Sequence, residues 1–386
     1  MSPAVVVDCV RTPIGRAHRA KGWFRDVRSD DLAVACIQSI VERTGINPAE
    51  IEDVLLGNTQ QTKEQGLNVA RNVALMAGLN VETGGVTINR LCGSSLQALN
   101  QASHAIVAGG ENVQIVGGLE HMHHVPMDHG LDLNPRMFQR TSKGALMMGV
   151  TAEFLAQTQK ISREEQDTFA LRSHMNANAT QNAGDFANEI VPVYGRNEAG
   201  ERFLVTRDQC VRDDSNTDAL AKLNPAFMPK IGTVTAGNSS PLNDGAAAML
   251  VMSEEKANEL GLKPLVRVVA TAVAGVEPSV MGTGPVPATQ KALKRAGLSL
   301  DDIEIVELNE AFAAQAIACM RMLKLDPEKV NVRGGSIAIG HPLGASGARI
   351  ATTLIHAMIA KQVRFGLATM CIGAGQGIAT IFERVS

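Results

Sequence analysis

GINPAEIEDVLLGN, residues 45–58, and GLSLDDIEIVELNE, residues 297–310, are two versions of one segment that align without a gap at an offset of 252. Each follows an amphipathic helical stretch, ACIQSIVERT (35–44) in the first case and ATQKALKRA (288–296) in the second. Further along, the small-residue turn and helix that open at Cys92 align with those that open at Ala345, at an offset of 253. The apolar strands VQIVGG (113–118) and FGLATMCIG (365–373) also correspond once a two-residue gap is allowed. One such match would mean little, but three in the same order at nearly one offset mark two copies of an αβ unit.

The strands VLLG, VQIVGG, VEL and FGLATM lack polar alternation and are separated by helical patterns of ten or more residues. Such strands are expected in sheets buried on both faces under helices. The expected fold class is therefore α/β, with two similar αβα-layered halves. The segment GAAAMLVMSEEKANEL (245–260) reads as a returning strand and helix of the first copy. This gives a first half of 1–118 plus 244–262, an inserted loop domain of 119–243 and a second half of 263–386. The insert carries one clear helix, SREEQDTFALRSHMNANATQNA (162–183). Long loops on a rigid scaffold usually carry function.

Composition bounds the function. The chain has 386 residues, 45% hydrophobic and 19% charged, with a formal net charge of -3. That length implies two or three domains, and the charge lacks the basic excess expected of a nucleic-acid or anionic-membrane surface. The six cysteines, at 9, 36, 92, 210, 319 and 371, show no CxxC pairing. They indicate neither a disulfide framework nor a zinc site, and a reducing cytoplasm is the expected compartment. No apolar run approaches the roughly 18 residues of a membrane span. The apolar start AVVVDCV (4–10) reads as a strand, leaving no room for a leader.

Four stretches carry chemistry. In INRLCGSSLQAL (88–99), Cys92 lies where a strand gives way to a helix, and free backbone N–H groups there favour thiolate. The alternative is an inert buried cysteine. In GGSIAIGHPLGASGAR (334–349), small residues surround His341 and Pro342 restrains the chain beside it, although a Gly-rich turn with a satisfied histidine reads the same way. MCIGAGQGIA (370–379) places Cys371 at a strand end before three glycines. NEAFAAQA (309–316) opens on Asn309, a residue that also favours helix caps. The cluster His121, His123, His124 and His129 with Asp128 has metal-binding residue types but not the i, i+4 spacing of a helical zinc site, and no metal is assigned.

Taken in chain order, the motifs at 88–99, 309–316, 334–349 and 370–379, with GTVTAGNSSPLNDGAAAM (232–249), resemble the thiolase family over essentially the whole chain. HVPMDHGLDLNP (124–135) and KGALMMGVTAEFLA (143–156) further resemble members that form the β subunit of bacterial fatty-acid β-oxidation complexes. The resemblance implies a thiolase-like duplicated fold and thiolytic cleavage of a 3-ketoacyl-CoA to acetyl-CoA and a shortened acyl-CoA. It assigns Cys92 as nucleophile, His341 as its base and Cys371 as proton carrier, with a pKa near the working pH. One oxyanion site is implied at the Cys92 and Gly373 N–H groups, and another at His341 with a water held by Asn309. Coenzyme A is a co-substrate, not a permanently bound cofactor, expected against Met148, Arg212, Phe227, Ala236, Ser240 and Phe312. Biosynthetic members carry a His where this chain has Met147, which favours longer acyl chains here. A homodimer core and an α subunit with hydratase and dehydrogenase activities, giving α2β2, are the implied partners. The alternatives are a biosynthetic acetoacetyl-CoA thiolase, a ketoacyl synthase or a non-catalytic acyl-CoA or lipid carrier. A synthase would be expected to use two histidines, whereas this chain offers His341 and Cys371, and a carrier would need no reactive groups.

Overall fold

The computed structural model describes residues 2–385. In the first half, β1 (Ala4–Arg11), α1 (Ser29–Thr44), β2 (Asp53–Gly57), α2 (Val69–Met76), β3 (Val86–Ile88), α3 (Ser94–Ala108) and β4 (Val113–His121) follow in order. The intervening segment contains α4 (Met148–Thr158), α5 (Arg163–Ala183) and a two-stranded hairpin (Val193–Arg196, Arg202–Val205), before β5 (Asn243–Ser253) rejoins the first sheet. The second half comprises β6 (Val266–Gly275), α6 (Pro285–Ala296), β7 (Ile305–Leu308), α7 (Ala313–Leu323), α8 (Ser346–Lys361), β8 (Phe365–Ile372) and β9 (Gln376–Arg384).

Strand order makes the duplication visible. The first sheet runs β3-β2-β4-β5-β1 and the second β7-β8-β9-β6, so β2-β4-β5-β1 and β7-β8-β9-β6 are the same arrangement. In each, the first two of these strands are parallel and the others antiparallel. The sheets meet edge to edge where β1 pairs with β6, at Val5 with Arg267 and Val6 with Val266. The repeat also explains its own first residue. Gly45 and Gly297 end α1 and α6 with φ of +65° and +67°, a left-handed conformation that costs glycine little and turns the chain toward β2 and β7.

Helices α1 and α2 cover the outer face of the first sheet, where Leu32, Ile37 and Val73 pack with Val54, Leu56 and Ile115. On the second sheet α6 and α7 do the same, with Val286, Leu293 and Cys319 against Val306, Leu367 and Ile381. The inner faces share one helical layer. Leu96, Leu99 and Ile106 of α3 lie in the same core as Ile350, Leu354 and Met358 of α8. The two αβα halves thus have one middle layer in common, which periodicity alone does not reveal, because it marks a buried face without saying what buries it.

Helix α5 begins with a reciprocal cap: Ser162 Oγ accepts the Glu165 N–H at 3.1 Å, and the Glu165 carboxylate accepts the Ser162 N–H at 2.8 Å. Although the insert leaves the first half, α5 lies on the second, where Ala177 fits against Gly334. A buried ion group fastens it: Arg11 of β1 donates to Glu189 at 2.7 Å and to both oxygens of Asp208 at 2.7 and 2.9 Å. Thr353 of α8 also donates to Glu189 at 3.0 Å.

Candidate active site

Between β3 and α3 the chain makes a tight turn. Asn89 Oδ1 accepts the Leu91 N–H at 2.9 Å, while Ser94 Oγ accepts the Arg90 N–H at 2.9 Å and donates to the Leu91 carbonyl at 2.6 Å. Leu91 is held at φ +46°, and Cys92 follows it, two residues before the first helical residue and 4% exposed. The backbone N–H groups of Gly373 and of Cys92 itself favour its thiolate. The helix terminus does not bring the thiol below its ordinary value. Burial dominates and pushes the thiol up to about 11, the two N–H groups only partly opposing it and the Glu120 charge reinforcing it.

His341 is held at three points. Its N–H donates to Asn243 Oδ1 at 2.8 Å, Nδ1 lies 2.6 Å from Ser346 Oγ, and Nε2 lies 3.4 Å from Asn309 Nδ2. The tautomer follows from proton counting. Ser346 has one hydroxyl proton and gives it to the Pro342 carbonyl at 2.8 Å, so Nδ1–H must donate to Ser346. Nε2 is left with its lone pair. Burial, helped by the charge of Arg349, lowers the imidazole to about 3 and keeps it neutral. A neutral imidazole with a defined free nitrogen can accept a proton.

Two buried carboxylates brace the loop that carries His341. Glu310, immediately after Asn309, accepts the Ile337 N–H at 3.1 Å, the Ser173 hydroxyl at 2.7 Å and the Asn331 amide at 2.7 Å. Glu120 accepts the Gly344 N–H at 2.9 Å, together with donors from Asn58, Thr59 and Gln65. Neither acid, nor Asn243, nor Ser346 is singled out by the sequence reading. The readable signal for Glu120 was an acid near the end of the fully buried strand VQIVGGLEH.

Asn309 and Cys371 stand at the ends of the parallel neighbours β7 and β8, and the Asn309 N–H donates to the carbonyl of Thr369 at 3.0 Å. Cys371 is 2% exposed, and burial raises its thiol well above the ordinary value, with further repulsion from Cys92 and Cys319. The expected pKa near working pH is therefore corrected for the resting protein. Two residues later, a side chain at Gly373 would start 3.2 Å from Leu91 Cδ1 and 3.8 Å from Met148 Sδ, so this strand end lies close against the Cys92 turn.

Of the six residues expected near coenzyme A, four converge. Met148 packs in the apolar cluster of Cys371 and Phe312, Phe227 meets Phe312 edge-on at 5.9 Å, and Ser240 donates through N and Oγ to the Ala311 carbonyl at 3.0 and 3.2 Å. Arg212 and Ala236 are both exposed, and the Arg212 N–H donates to His174 Nδ1 at 3.3 Å. His121, which ends β4, and His124 just beyond it are bonded to other segments of the chain. His121 Nε2 bonds the Phe24 carbonyl at 3.0 Å, and His124 bonds the Arg25 carbonyl at 2.8 Å and Glu64 at 3.0 Å. Among the described residues no group of three or more His, Cys, Asp or Glu is arranged to hold a metal ion.

The model of the thiolase N-terminal domain matches residues 4–255, and that of the thiolase C-terminal domain matches 262–384. The chain belongs to the thiolase family. Among thiolases, the 3-ketoacyl-CoA thiolase of Vibrio parahaemolyticus serotype O3:K6 (strain RIMD 2210633) is 56% identical over 384 residues, 98% of each chain. That of Aeromonas salmonicida (strain A449) is 55% identical over the full length of both. The crystal structure of the Bacillus anthracis acetyl-CoA acetyltransferase superposes with a TM-score of 0.91 at 40% identity, covering 100% of this thiolase chain and 99% of that one. The thiolase fold expected from the sequence is thus established.

Proposed function

We propose that the chain is a 3-ketoacyl-CoA thiolase of fatty-acid β-oxidation, an acetyl-CoA C-acyltransferase working through a Cys92 acyl-enzyme. The observation that carries this reading is that the 371–373 strand end packs on the 91–93 turn, a Cβ at Gly93 falling 2.6 Å from Ile372 Cδ1 and one at Gly373 3.2 Å from Leu91 Cδ1. In the proposed reaction Cys92 Sγ attacks the 3-keto carbon as its proton passes to His341 Nε2. The developing oxyanion is met by donors at Cys92 and Gly373, or at His341 and a water held by Asn309; removing one such donor typically costs about 10²–10³ in rate. The C2–C3 bond then breaks, its electron pair leaves as the enolate of acetyl-CoA, and the Cys371 proton goes to C2. Incoming CoA gives its thiol proton to the Cys371 thiolate and attacks the acyl carbon. Cys92 leaves and recovers its proton from His341.

Because thiol and imidazole are both neutral at rest, the proton moves as the carbon–sulfur bond forms. Met148, Phe227, Ser240 and Phe312 would flank the pantetheine arm, with Arg212 and Ala236 further out along the coenzyme and Arg212 toward a phosphate. For assembly, β3 is an edge strand beside exposed apolar side chains, Leu67 at 89%, Val81 at 72% and Val86 at 41%. Pairing of two copies across this edge would cover them, giving the isologous C2 core to which an α subunit would add. The free cysteines fit a cytoplasmic setting. The test is CoA-dependent acetyl-CoA formation from short to long 3-ketoacyl-CoAs. Turnover that persists on long chains and vanishes in Cys92→Ser is expected, activity on acetoacetyl-CoA alone would favour the biosynthetic reading, and no turnover at any length would overturn both.

A further inference from the structure

Behind Asn309 lies a buried side-chain chain that the proposed mechanism does not use. Arg349 Nη2 donates to Ser336 Oγ, and Ser336 Oγ donates to Asn309 Oδ1 at 2.6 Å. Arg349 and Ser336 are 0% exposed and Asn309 1%. On its other side Arg349 faces Glu307, with Nη1 3.9 Å from the carboxylate.

We infer that Ser336 and Arg349 are positioning residues that lock the Asn309 side chain with its NH₂ group, not its oxygen, toward His341 and the reacting carbonyl. An amide has nearly the same shape in either orientation, so only hydrogen bonds can select one. A guanidinium has donors and no acceptor, which fixes the direction of the whole chain. Since Arg349 must donate to Ser336, the hydroxyl proton of Ser336 is free to go only onward, and the group it meets must be an acceptor. That group is Asn309 Oδ1. Were the amide reversed, Ser336 would receive two donors and its own proton would have no partner, a buried loss. The positive end of the chain also polarises the Ser336 hydroxyl and, through it, the amide that faces the site.

Position on the fold supports the assignment. Arg349 lies three residues after Ser346 in the first turn of α8, so one helix turn sets both the tautomer of His341 and the orientation of Asn309. The sequence shows Ser336 only as one of the small residues in the Gly-rich loop, and its partners lie 13 and 27 residues away.

The inference rests on the thiolase reading, and the experiment separates the two. Thiolysis is measured for the parent, Ser336→Ala, Asn309→Ala and the double variant, with Cys92 alkylation as a check on the nucleophile loop. Ser336→Ala is expected to lower kcat about tenfold, the size of one lost oriented hydrogen bond, with KM for CoA and the alkylation rate unchanged. In the Asn309→Ala background the same change is expected to cost nothing more. Ser336→Thr, which keeps the hydroxyl, is expected to recover most of kcat. An inactive parent would sink the thiolase reading. An active parent with an equal loss from Ser336→Ala in both backgrounds, or with no loss at all, would overturn the relay alone. Should Ser336→Ala fail to fold, Ser336→Cys, nearly isosteric with a weak donor, runs the same cycle with the same two outcomes.

Discussion

Ser95 Oγ accepts the backbone N–H of Ala348 at 2.9 Å, and the two residues are 253 positions apart. That is the offset that relates Cys92 to Ala345, so the contact joins equivalent places in the two copies. Equivalent residues touch one another only near the axis that relates them, and here the axis passes between the first turns of α3 and α8. Cys92 precedes one of these turns and His341 the other. The central contact of the duplication therefore sets how far apart the nucleophile loop and the base loop stand.

Gly347 is what permits the approach. A Cβ there would lie 2.3 Å from the backbone nitrogen of Leu96, which unlike a side-chain tip cannot swing away. Gly347→Ala is expected to force α3 and α8 apart, costing about 1–3 kcal/mol of stability and lowering kcat as the two loops separate. Denaturant midpoints and thiolysis rates measure both. Parental values for each would show that the helices do not control the site.

How much of this was legible depends on whether a feature is local. The duplication was, because offsets survive in sequence, and so were the motifs around Cys92, Asn309, His341 and Cys371. The protonation states were not. A helix terminus is visible in INRLCGSSLQAL, but the burial that outweighs it comes from segments such as Leu343, Ile372 and Ile378 on the other half. Glu120 was hidden for the same reason, since its donors come from residues 58–65 and from Gly344, and no spacing links them. His121 and His124, at the end of β4 and just beyond it, looked like metal ligands by type, yet their partners are the carbonyls of Phe24 and Arg25, nearly a hundred residues upstream, and Glu64.

Acid stability gives a second expectation. His174, on α5, is 5% exposed, and burial, reinforced by the charge of Arg212, lowers it to about 4. Its folded value lies below the unfolded 6.5, so between about 4 and 6.5 the unfolded chain binds a proton that the folded chain refuses. This contribution to stability is present above 6.5 and is lost as pH falls toward 4. His174→Gln keeps an acceptor for the Arg212 N–H but cannot titrate. Its stability is expected to fall with acid less steeply, by about 1.4 kcal/mol per pH unit within that window. Equal slopes for variant and parent in denaturant titrations from pH 4.5 to 6 would contradict the buried neutral state.

The last expectation concerns the nucleophile. With the Cys92 thiol pushed up to about 11 and His341 down to about 3, the resting pair is thiol and imidazole, not thiolate and imidazolium. Alkylation by iodoacetamide consumes thiolate, so the Cys92 rate is expected to rise about tenfold per pH unit from 6 to 9 without a plateau. Cys210 supplies an internal standard. It is half-buried, and burial pushes it to about 11 as well, so the ratio of Cys92 to Cys210 modification, read by peptide mass, is expected to stay constant with pH. Cys371, raised still further, is expected to react last of the three at every pH. An ion pair between Cys92 and His341 would behave differently: the Cys92 rate would level off below pH 8 while Cys210 kept climbing. That outcome would mean the proton has already moved before substrate arrives, and the order of events at the keto carbon would have to be rewritten.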